Sequence, residues 1–240
     1  VAGALEGVYA SVIDSTSGAV FQSNTLIDAT AINPRCVALG PNPTLVYLDT
    51  SASPYVMKTV QVDINNPISF NSSSTIVSTV NATNPNYDVA VNSADADAGN
   101  AVFAYNSSAS TTLGVGYIGT DGVVGGPANG FPGAVTIGST NSNDLITLCT
   151  DRVNTDPTES ERVYVAYSSR TASAGLKIKR IKSTLTVEAT HTVEGSATEI
   201  TGASVIITQA GDLQIIYTMS ATNTYDYQVK GALYDVSADT

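Results

Sequence analysis

His191 is the only histidine in the 240-residue chain, and nothing near it in sequence completes a catalytic set. Residues 189–193 read Ala-Thr-His-Thr-Val, an alternation that predicts a half-exposed place on a β-strand. A catalytic triad or a histidine metal site needs partner residues at defined geometry, and no segment of the sequence indicates such partners. The sequence also contains no nucleophile elbow, phosphate loop or Rossmann pattern. We therefore expect no catalytic residues, no cofactor and no metal site, and hence a protein that is not an enzyme.

Two acidic segments have the residue types of a cation site. Asp95 and Asp97 have the alternate spacing that starts a calcium loop, but Gly99 takes a ligand position and no closing Glu follows. The second segment holds four acids between positions 151 and 161, with two arginines that partly neutralise them: Asp151, Asp156, Glu159 and Glu161, with Arg152 and Arg162. Both segments lie between predicted strands, which favours a plain turn and a solvated loop. Whether either holds a cation stays open.

Much of the positive charge is concentrated on one predicted strand, at Lys177, Lys179, Arg180 and Lys182. One interpretation is an exposed strand whose lysines discourage pairing at its edge. The other is a docking patch for an acidic neighbour, such as another copy of this chain.

Composition limits the function classes. The net charge of −11 repels phosphate backbones and anionic lipid, so we expect neither nucleic-acid binding nor membrane insertion. Hydrophobic residues make up 42% of the chain and charged residues 13%, which is typical of a folded core rather than of disorder. Cys36 and Cys149 match no zinc or redox spacing, and we predict two free, mostly buried thiols.

The elements that position these side chains repeat along the chain. Four short apolar segments each end on a tyrosine, and the intervals between these tyrosines are 58, 62 and 50 residues: Tyr47, Tyr105, Tyr167 and Tyr217. Another apolar segment and a Gly, Pro, Asn or Asp turn precede each one, and a third and a fourth strand follow. The units are 31–82, 83–139 and 140–196, with partial units at 1–30 and 197–240. We expect the four tyrosines to pack between units.

A repeat of four strands is the size of one propeller blade. We therefore predict an all-β fold: a single domain over residues 1–240, built as a propeller-like array of about four to five four-stranded antiparallel blades, with both ends cut within a blade. Stacking of like units buries both faces of sheets that could not bury them alone. A β-sandwich with coincidental spacing is the alternative.

Residues of the units 31–82 and 83–139 also resemble a known family. Residues 68–72 (Ile-Ser-Phe-Asn-Ser), 88–91 (Asp-Val-Ala-Val), 100–108 and the Gly-rich 113–119 are similar to repeats of bacteriophage structural proteins. Residues 8–20 are similar to repeats of large secreted bacterial surface proteins. The resemblance implies a virion or cell-surface module and assigns no functional residue.

Three hypotheses for function follow. The first is a non-enzymatic, tail-associated virion protein that supplies a rigid assembly or receptor-binding platform, with other virion proteins or copies of itself as partners. The second is a secreted or cell-surface module that binds glycan or protein. The third is a propeller glycosidase. The chain has no Trp, so it lacks the Trp-containing turns of sialidases, but its 21 acids leave room for a carboxylate pair.

Overall fold

The computed structural model describes residues 7–40, 42–64, 69–91, 100–108, 112–125, 134–139, 145–151, 162–168, 175–195, 199–208, 211–220 and 227–235. These ranges form strands and turns, without a helix. The strands are β1 (Val8–Ile13), β2 (Val20–Asp28), β3 (Ala31–Leu39), β4 (Asn42–Asp49), β5 (Tyr55–Asp63), β6 (Ser69–Phe70), β7 (Ser74–Val80), β8 (Tyr87–Val91), β9 (Ala101–Asn106), β10 (Thr112–Ile118), β11 (Val135–Ser139), β12 (Leu145–Thr150), β13 (Val163–Ser168), β14 (Leu176–Ile181), β15 (Val187–Glu194), β16 (Glu199–Ile207), β17 (Leu213–Ser220) and β18 (Tyr227–Tyr234).

Each sheet is antiparallel and comes from one contiguous segment of the chain. We call the pair β1–β2 the N-terminal ribbon. Blade 1 has the order β3-β4-β5, with β6 and β7 both paired to the far side of β5. Blade 2 is β8-β9-β10-β11, blade 3 is β12-β13-β14-β15, and blade 4 is β16-β17-β18. The first strand of each blade lies at one edge of its sheet, and the first strands of successive blades contact one another. This is the arrangement of propeller blades around an inner edge.

Separate apolar clusters lie between successive sheets and form the core. In β13, Val165 and Tyr167 pack in the cluster shared with blade 2, whereas Tyr164 and Ala166 pack in the cluster shared with blade 4. Because side chains alternate between the faces of a strand, a strand buried on both faces must be apolar at every position. This explains the apolar runs that the sequence shows in the second strands β4, β9 and β13.

The four repeat tyrosines occupy equivalent places. They lie on the second strands β4, β9, β13 and β17, and each belongs to the cluster between its own blade and the preceding sheet: Tyr47, Tyr105, Tyr167 and Tyr217. The exposed fraction of these residues is between 1% and 6%. A buried aromatic side chain removes a large apolar area from water, so these residues contribute strongly to the contact between blades.

In blades 1 and 4, the repeat tyrosine pairs with a lysine that contacts a carboxylate. Lys58 pairs across the sheet with Tyr47, and its Nζ lies 2.7 Å from Asp49 Oδ2 and 3.9 Å from Asp28 Oδ2. Asp28 is the last residue of the preceding ribbon. Burial tends to raise the pKa of Asp49, but hydrogen bonds from Lys58, Ser51 and Thr30 outweigh it and hold that pKa far below its ordinary value.

The same arrangement recurs in blade 4. Lys230 pairs with Tyr217, and Lys230 Nζ lies 3.0 Å from Oε2 of Glu194, the last residue of blade 3. The Tyr217 hydroxyl donates to the same oxygen at 3.3 Å. In both places an acid at the end of one sheet therefore contacts the lysine of the next, and in blade 4 it also accepts a hydrogen bond from the tyrosine.

Blade 2 replaces the lysine by Gly114, which pairs with Tyr105. A Cβ at Gly114 would lie 2.2 Å from Cε1 of the Tyr105 ring. The Tyr105 ring therefore lies over Gly114 of the third strand, in the space that a lysine side chain takes in blades 1 and 4.

The structure confirms the predicted all-β, propeller-like array of four-stranded antiparallel blades. The described residues also include the short strand β6, Ser69–Phe70, which pairs with β5. Within the described ranges, no helical segment has the length and apolar character needed to cross a membrane.

We predict that Gly114→Ala destabilises the protein by about 1–3 kcal/mol, because the new methyl group overpacks the Tyr105 ring. The matched control is Gly231→Ala on the third strand of blade 4, where an added Cβ would come no closer than 3.8 Å to another atom. Urea unfolding of both variants measures the difference. Equal stabilities for the two variants would contradict the packing.

We also predict that stability depends on the ionised Asp49 carboxylate. The lowered pKa of Asp49 stabilises the folded state at pH values above 3.8, the ordinary pKa of this group. This contribution is lost as the pH falls through the lower pKa of the folded state. Asp49→Asn should therefore be less stable than the wild type at about pH 7, and the difference should shrink towards about pH 2. Urea unfolding across this pH range tests it. A difference that is constant with pH would contradict the role of the charge.

Candidate functional site

The inner edge of the array brings residues from several blades together. It is formed by β3, β8, β12 and β16, the first strands of blades 1 to 4. Thr150 Oγ1 of β12 donates to the carbonyl of Val91 on β8 at 2.7 Å. The Tyr87 hydroxyl of β8 donates to the carbonyls of Asn33 and Val46 in blade 1. Side-chain hydrogen bonds to carbonyls therefore connect blade 2 to blade 1 and blade 3 to blade 2.

Asp88 on β8 is the carboxylate at the centre of this edge. Its Oδ2 accepts hydrogen bonds from Thr147 Oγ1 at 3.2 Å and from the backbone N–H of Leu148 at 3.0 Å, both on β12. Its Oδ1 lies 3.8 Å from Nε of Arg35 on β3. One side chain therefore contacts blades 1 and 3 from blade 2, and it also satisfies a backbone donor at the edge of β12.

A pocket of about 440 Å³ lies beside this carboxylate, between the inner strands of blades 2, 3 and 4. Its lining is mostly apolar: Ala90, Val91, Leu148, Cys149, Thr150, Ile206 and Ile207. Its volume is in the range of small-molecule sites in proteins.

The pKa of Cys149 depends on the charges around the pocket. Burial, together with the negative charges of Asp151 and Asp88, raises the pKa of its thiol to about 12. Asp151 follows β12 directly, is 4% exposed, and donates its backbone N–H to the Arg162 carbonyl at 2.8 Å. The negative charges of two carboxylates thus help to raise the pKa of the thiol that lines the pocket.

A second charged cluster lies on the outer part of blade 3. Glu188 Oε2 is 2.8 Å from Arg162 Nε and 3.3 Å from Arg180 Nε, and Glu188 Oε1 is 3.4 Å from Lys182 Nζ. Three cations therefore share a single carboxylate of β15.

The predicted docking patch is distributed over two faces of β14, because successive side chains of a strand point in opposite directions. Arg180 and Lys182 bind Glu188 as above. Lys179 is 9% exposed, lies over the Tyr167 ring at 5.9 Å, and donates to Thr190 Oγ1 at 3.3 Å. Lys177 pairs with Tyr167. The patch stays a prediction, carried by side chains that are already engaged within blade 3.

His191 occupies a separate pocket of about 300 Å³ between the outer strands of blades 3 and 4. The Tyr234 hydroxyl lies 2.9 Å from His191 Nε2, and the two rings are 4.6 Å apart. The histidine is half-buried, as the strand pattern predicts.

The two cation segments lie mostly outside the described residues: Asp95, Asp97, Asp156, Glu159 and Glu161 are not among them. Within the described part of the chain, no cluster of three or more His, Cys, Asp or Glu could hold a metal ion. Both cysteines are free, but the expectation of two mostly buried thiols is wrong for Cys36, which is exposed on β3. There the side chain points away from the cluster between blades 1 and 2.

Sequence reasoning missed Asp88 as a site residue. An acid inside the short apolar strand Tyr-Asp-Val-Ala-Val is the signal that could have identified it, because an ionised group on such a strand needs partners. Asp151 was visible only as part of an acidic loop.

Comparison with known proteins supports the fold. No protein-family model and no curated protein matches the chain. Among solved structures, NanB with Optactamide matches with a TM-score of 0.54 at 6% identity, over 84% of this chain and 30% of that chain. The K499G mutant of NanB sialidase from Streptococcus pneumoniae matches with a TM-score of 0.52 at 6% identity, over 85% and 31%. A protein of unknown function from Dyadobacter fermentans matches with a TM-score of 0.52 at 10% identity, over 89% and 55%.

The chain thus spans about a third of the length of the sialidase that it resembles. At these identities the similarity concerns the fold, a β-propeller type. The matches correct two expectations: that the chain is a non-enzymatic virion platform, and that it is not an enzyme. The similar propellers include a sialidase, so the glycosidase alternative is better supported than the virion hypothesis. The phage resemblance misled because its short Ser, Asn and Gly motifs are those of strand turns in general.

We predict that the two thiols of the native protein differ in reactivity. At about pH 8, Cys36 should react with a thiol reagent, and Cys149, whose pKa is raised to about 12, should react only after unfolding. Reagent titration followed by mass spectrometry of peptides measures both sites. Rapid labelling of Cys149 in the folded protein would contradict its burial beside two carboxylates.

Proposed function

We propose that this chain belongs to a propeller glycosidase whose substrate binds at the inner edge of the blades. The observation that carries the proposal is the pocket between blades 2, 3 and 4, with Asp88 hydrogen-bonded to the backbone of its wall residue Leu148 and Asp151 next to its wall residue Thr150 in the chain. The similarity of the fold to a sialidase supports the same class of reaction.

Glycoside hydrolysis generally needs two carboxyl groups, one to donate a proton to the leaving oxygen and one to act as nucleophile or base. Asp88 is our candidate for the second role, because Arg35, Thr147 and the Leu148 N–H surround it with donors and positive charge. Asp151 is our candidate for the acid, because this buried carboxyl group directly follows Thr150, which lines the pocket.

The pocket lining suits one face of a sugar ring. Leu148, Ile206 and Ile207 offer apolar surface, and Thr150 offers a hydroxyl. Pockets that combine apolar walls with a few fixed polar groups are typical of small-ligand sites.

The second candidate function is glycan binding without cleavage. It is favoured by the fact that both oxygens of Asp88 already have partners on neighbouring blades. In that case the carboxylate connects the blades and the pocket only recognises the sugar. The predicted location, the virion or alternatively an extracellular or cell-surface place, and the predicted partners stay predictions.

The test is hydrolysis of a panel of fluorogenic glycosides, including a sialoside, by the purified chain. If the proposal holds, Asp88→Asn and Asp151→Asn each lower kcat/KM by about 100- to 10,000-fold. Asp121→Asn is the matched control, since this exposed acid lies in a turn and accepts from the Val123 N–H at 3.0 Å. Thermal melts confirm that each variant is folded.

Two outcomes separate the candidates. Hydrolysis that both substitutions leave unchanged would refute the assignment of these acids. No hydrolysis, together with retention on a glycan array that Thr150→Val weakens, would favour recognition without cleavage.

A further inference from the structure

The polar side chains at the inner-edge pocket accept hydrogen bonds rather than donate them. Asp88, beside the pocket, is 22% exposed in its side chain and can only accept while it is ionised. Thr150 on the pocket wall has a hydroxyl that could do both, but its one proton is directed to the Val91 carbonyl at 2.7 Å. The Thr150 oxygen therefore offers only lone pairs to a ligand. A ligand that uses these two groups must bring the donors itself.

Asp88 keeps room for one more donor. The described residues give its carboxylate three hydrogen bonds: Thr147 Oγ1 and the Leu148 N–H donate to Oδ2, and the Val89 N–H donates to Oδ1 at 2.9 Å. An ionised carboxylate can accept about four hydrogen bonds. The remaining capacity lies on Oδ1, because that oxygen accepts one of the three bonds and Oδ2 accepts two. A sugar hydroxyl or ammonium group could use it.

The charge beside the pocket is negative. None of the described residues that line the pocket is Lys, Arg or His. Arg35 Nε lies 3.8 Å from Asp88 Oδ1, but this side chain is 53% exposed and belongs to blade 1, which contributes no described residue to the wall. Arg162 is bound to Glu188 at 2.8 Å. The described wall therefore supplies no positive charge to offset the carboxylates of Asp88 and Asp151.

The raised pKa of the Cys149 thiol agrees with a negative potential in the pocket. The charges of Asp151 and Asp88 both contribute to the rise, so a thiolate on this wall is disfavoured. A carboxylate on a bound sugar would meet the same repulsion, and it would also lose water without gaining a side-chain donor. A hydroxyl group avoids both penalties, and an ammonium group is attracted.

We propose that the inner-edge pocket binds sugars that are uncharged or positively charged and excludes sugars that carry a carboxylate, such as sialosides and uronides. This selectivity rests on the proposed function only in taking the pocket as the sugar site, and it does not require hydrolysis. Within the panel of fluorogenic glycosides, the sialoside should therefore be the poorest substrate.

A charge series on one sugar ring tests the proposal. The methyl thioglycosides of glucosamine, glucose and glucuronic acid carry a positive, no and a negative charge at about pH 6, and the galactose series does the same. Thioglycosides resist hydrolysis, so binding to the full chain can be measured by NMR titration whether or not the chain is an enzyme. The dissociation constant should be lowest for the amino sugar and at least about tenfold higher for the uronic acid than for the neutral sugar.

A cation on the pocket wall should reverse this preference. Ile206 lines the pocket and is 51% exposed, so the fold can accept Ile206→Lys. This variant should bind the uronic acid about three- to tenfold more tightly than the wild type and the amino sugar more weakly. Ile216→Lys is the matched control, because Ile216 is 47% exposed on the same blade and lies outside the pocket lining. It should bind all the sugars as the wild type does. Circular dichroism melts check folding.

A uronic acid that binds the wild type as tightly as the neutral sugar would overturn the proposal. So would an Ile206→Lys variant with unchanged preference, or a wild type that binds no member of either series. Absence of hydrolysis in the fluorogenic panel, together with the expected order of binding, would refute the catalytic proposal and support the selectivity of the pocket. The two failures are therefore distinguishable.

Discussion

Burial of the second strands β4, β9 and β13 between two neighbouring sheets is the interaction on which the structure depends. A sheet of four short strands cannot bury both faces alone, so each blade is stable only while a neighbour covers it. Tyr105 and Tyr167 face the preceding blade, and Val102 and Ala166 face the following one. Stability is therefore distributed over the contacts between successive blades rather than concentrated in one central core.

The candidate site is a product of the same stacking. Packing of the blades places β3, β8 and β12 side by side, and only then can Asp88 reach Arg35 on one side and the Leu148 N–H on the other. The Asp88 carboxylate therefore connects neighbouring blades and is also a proposed catalytic group. The same dependence explains why the pocket opens between blades and not within one sheet. Function at this edge would require that at least three blades be assembled.

Residues that act through long-range contacts escaped sequence reasoning. The turn chemistry and the spacing of the tyrosines are local, and they were enough to predict blades. Asp88 and Leu148 are 60 residues apart in the chain, and no local pattern indicates that they meet. The basic strand shows the same limit, because the acid that binds Arg162 and Arg180 could not be identified before Glu188 was placed beside them. The prediction of a virion function was wrong because it followed a resemblance in short turn motifs, which occur in many unrelated repeats.

The amino-acid sequence by itself determined the all-β class and the repeat, because hydrophobic alternation and turn residues act over a few positions. It also predicted equivalent places for the four tyrosines, because each ends a short apolar segment that follows another apolar segment and a turn. Only the tertiary structure decided which side chains meet at the inner edge and which apolar residues stay uncovered. Ile216 and Ala166 illustrate this: each directly precedes the repeat tyrosine of its second strand, but Ala166 is buried between blades 3 and 4 whereas Ile216 is 47% exposed.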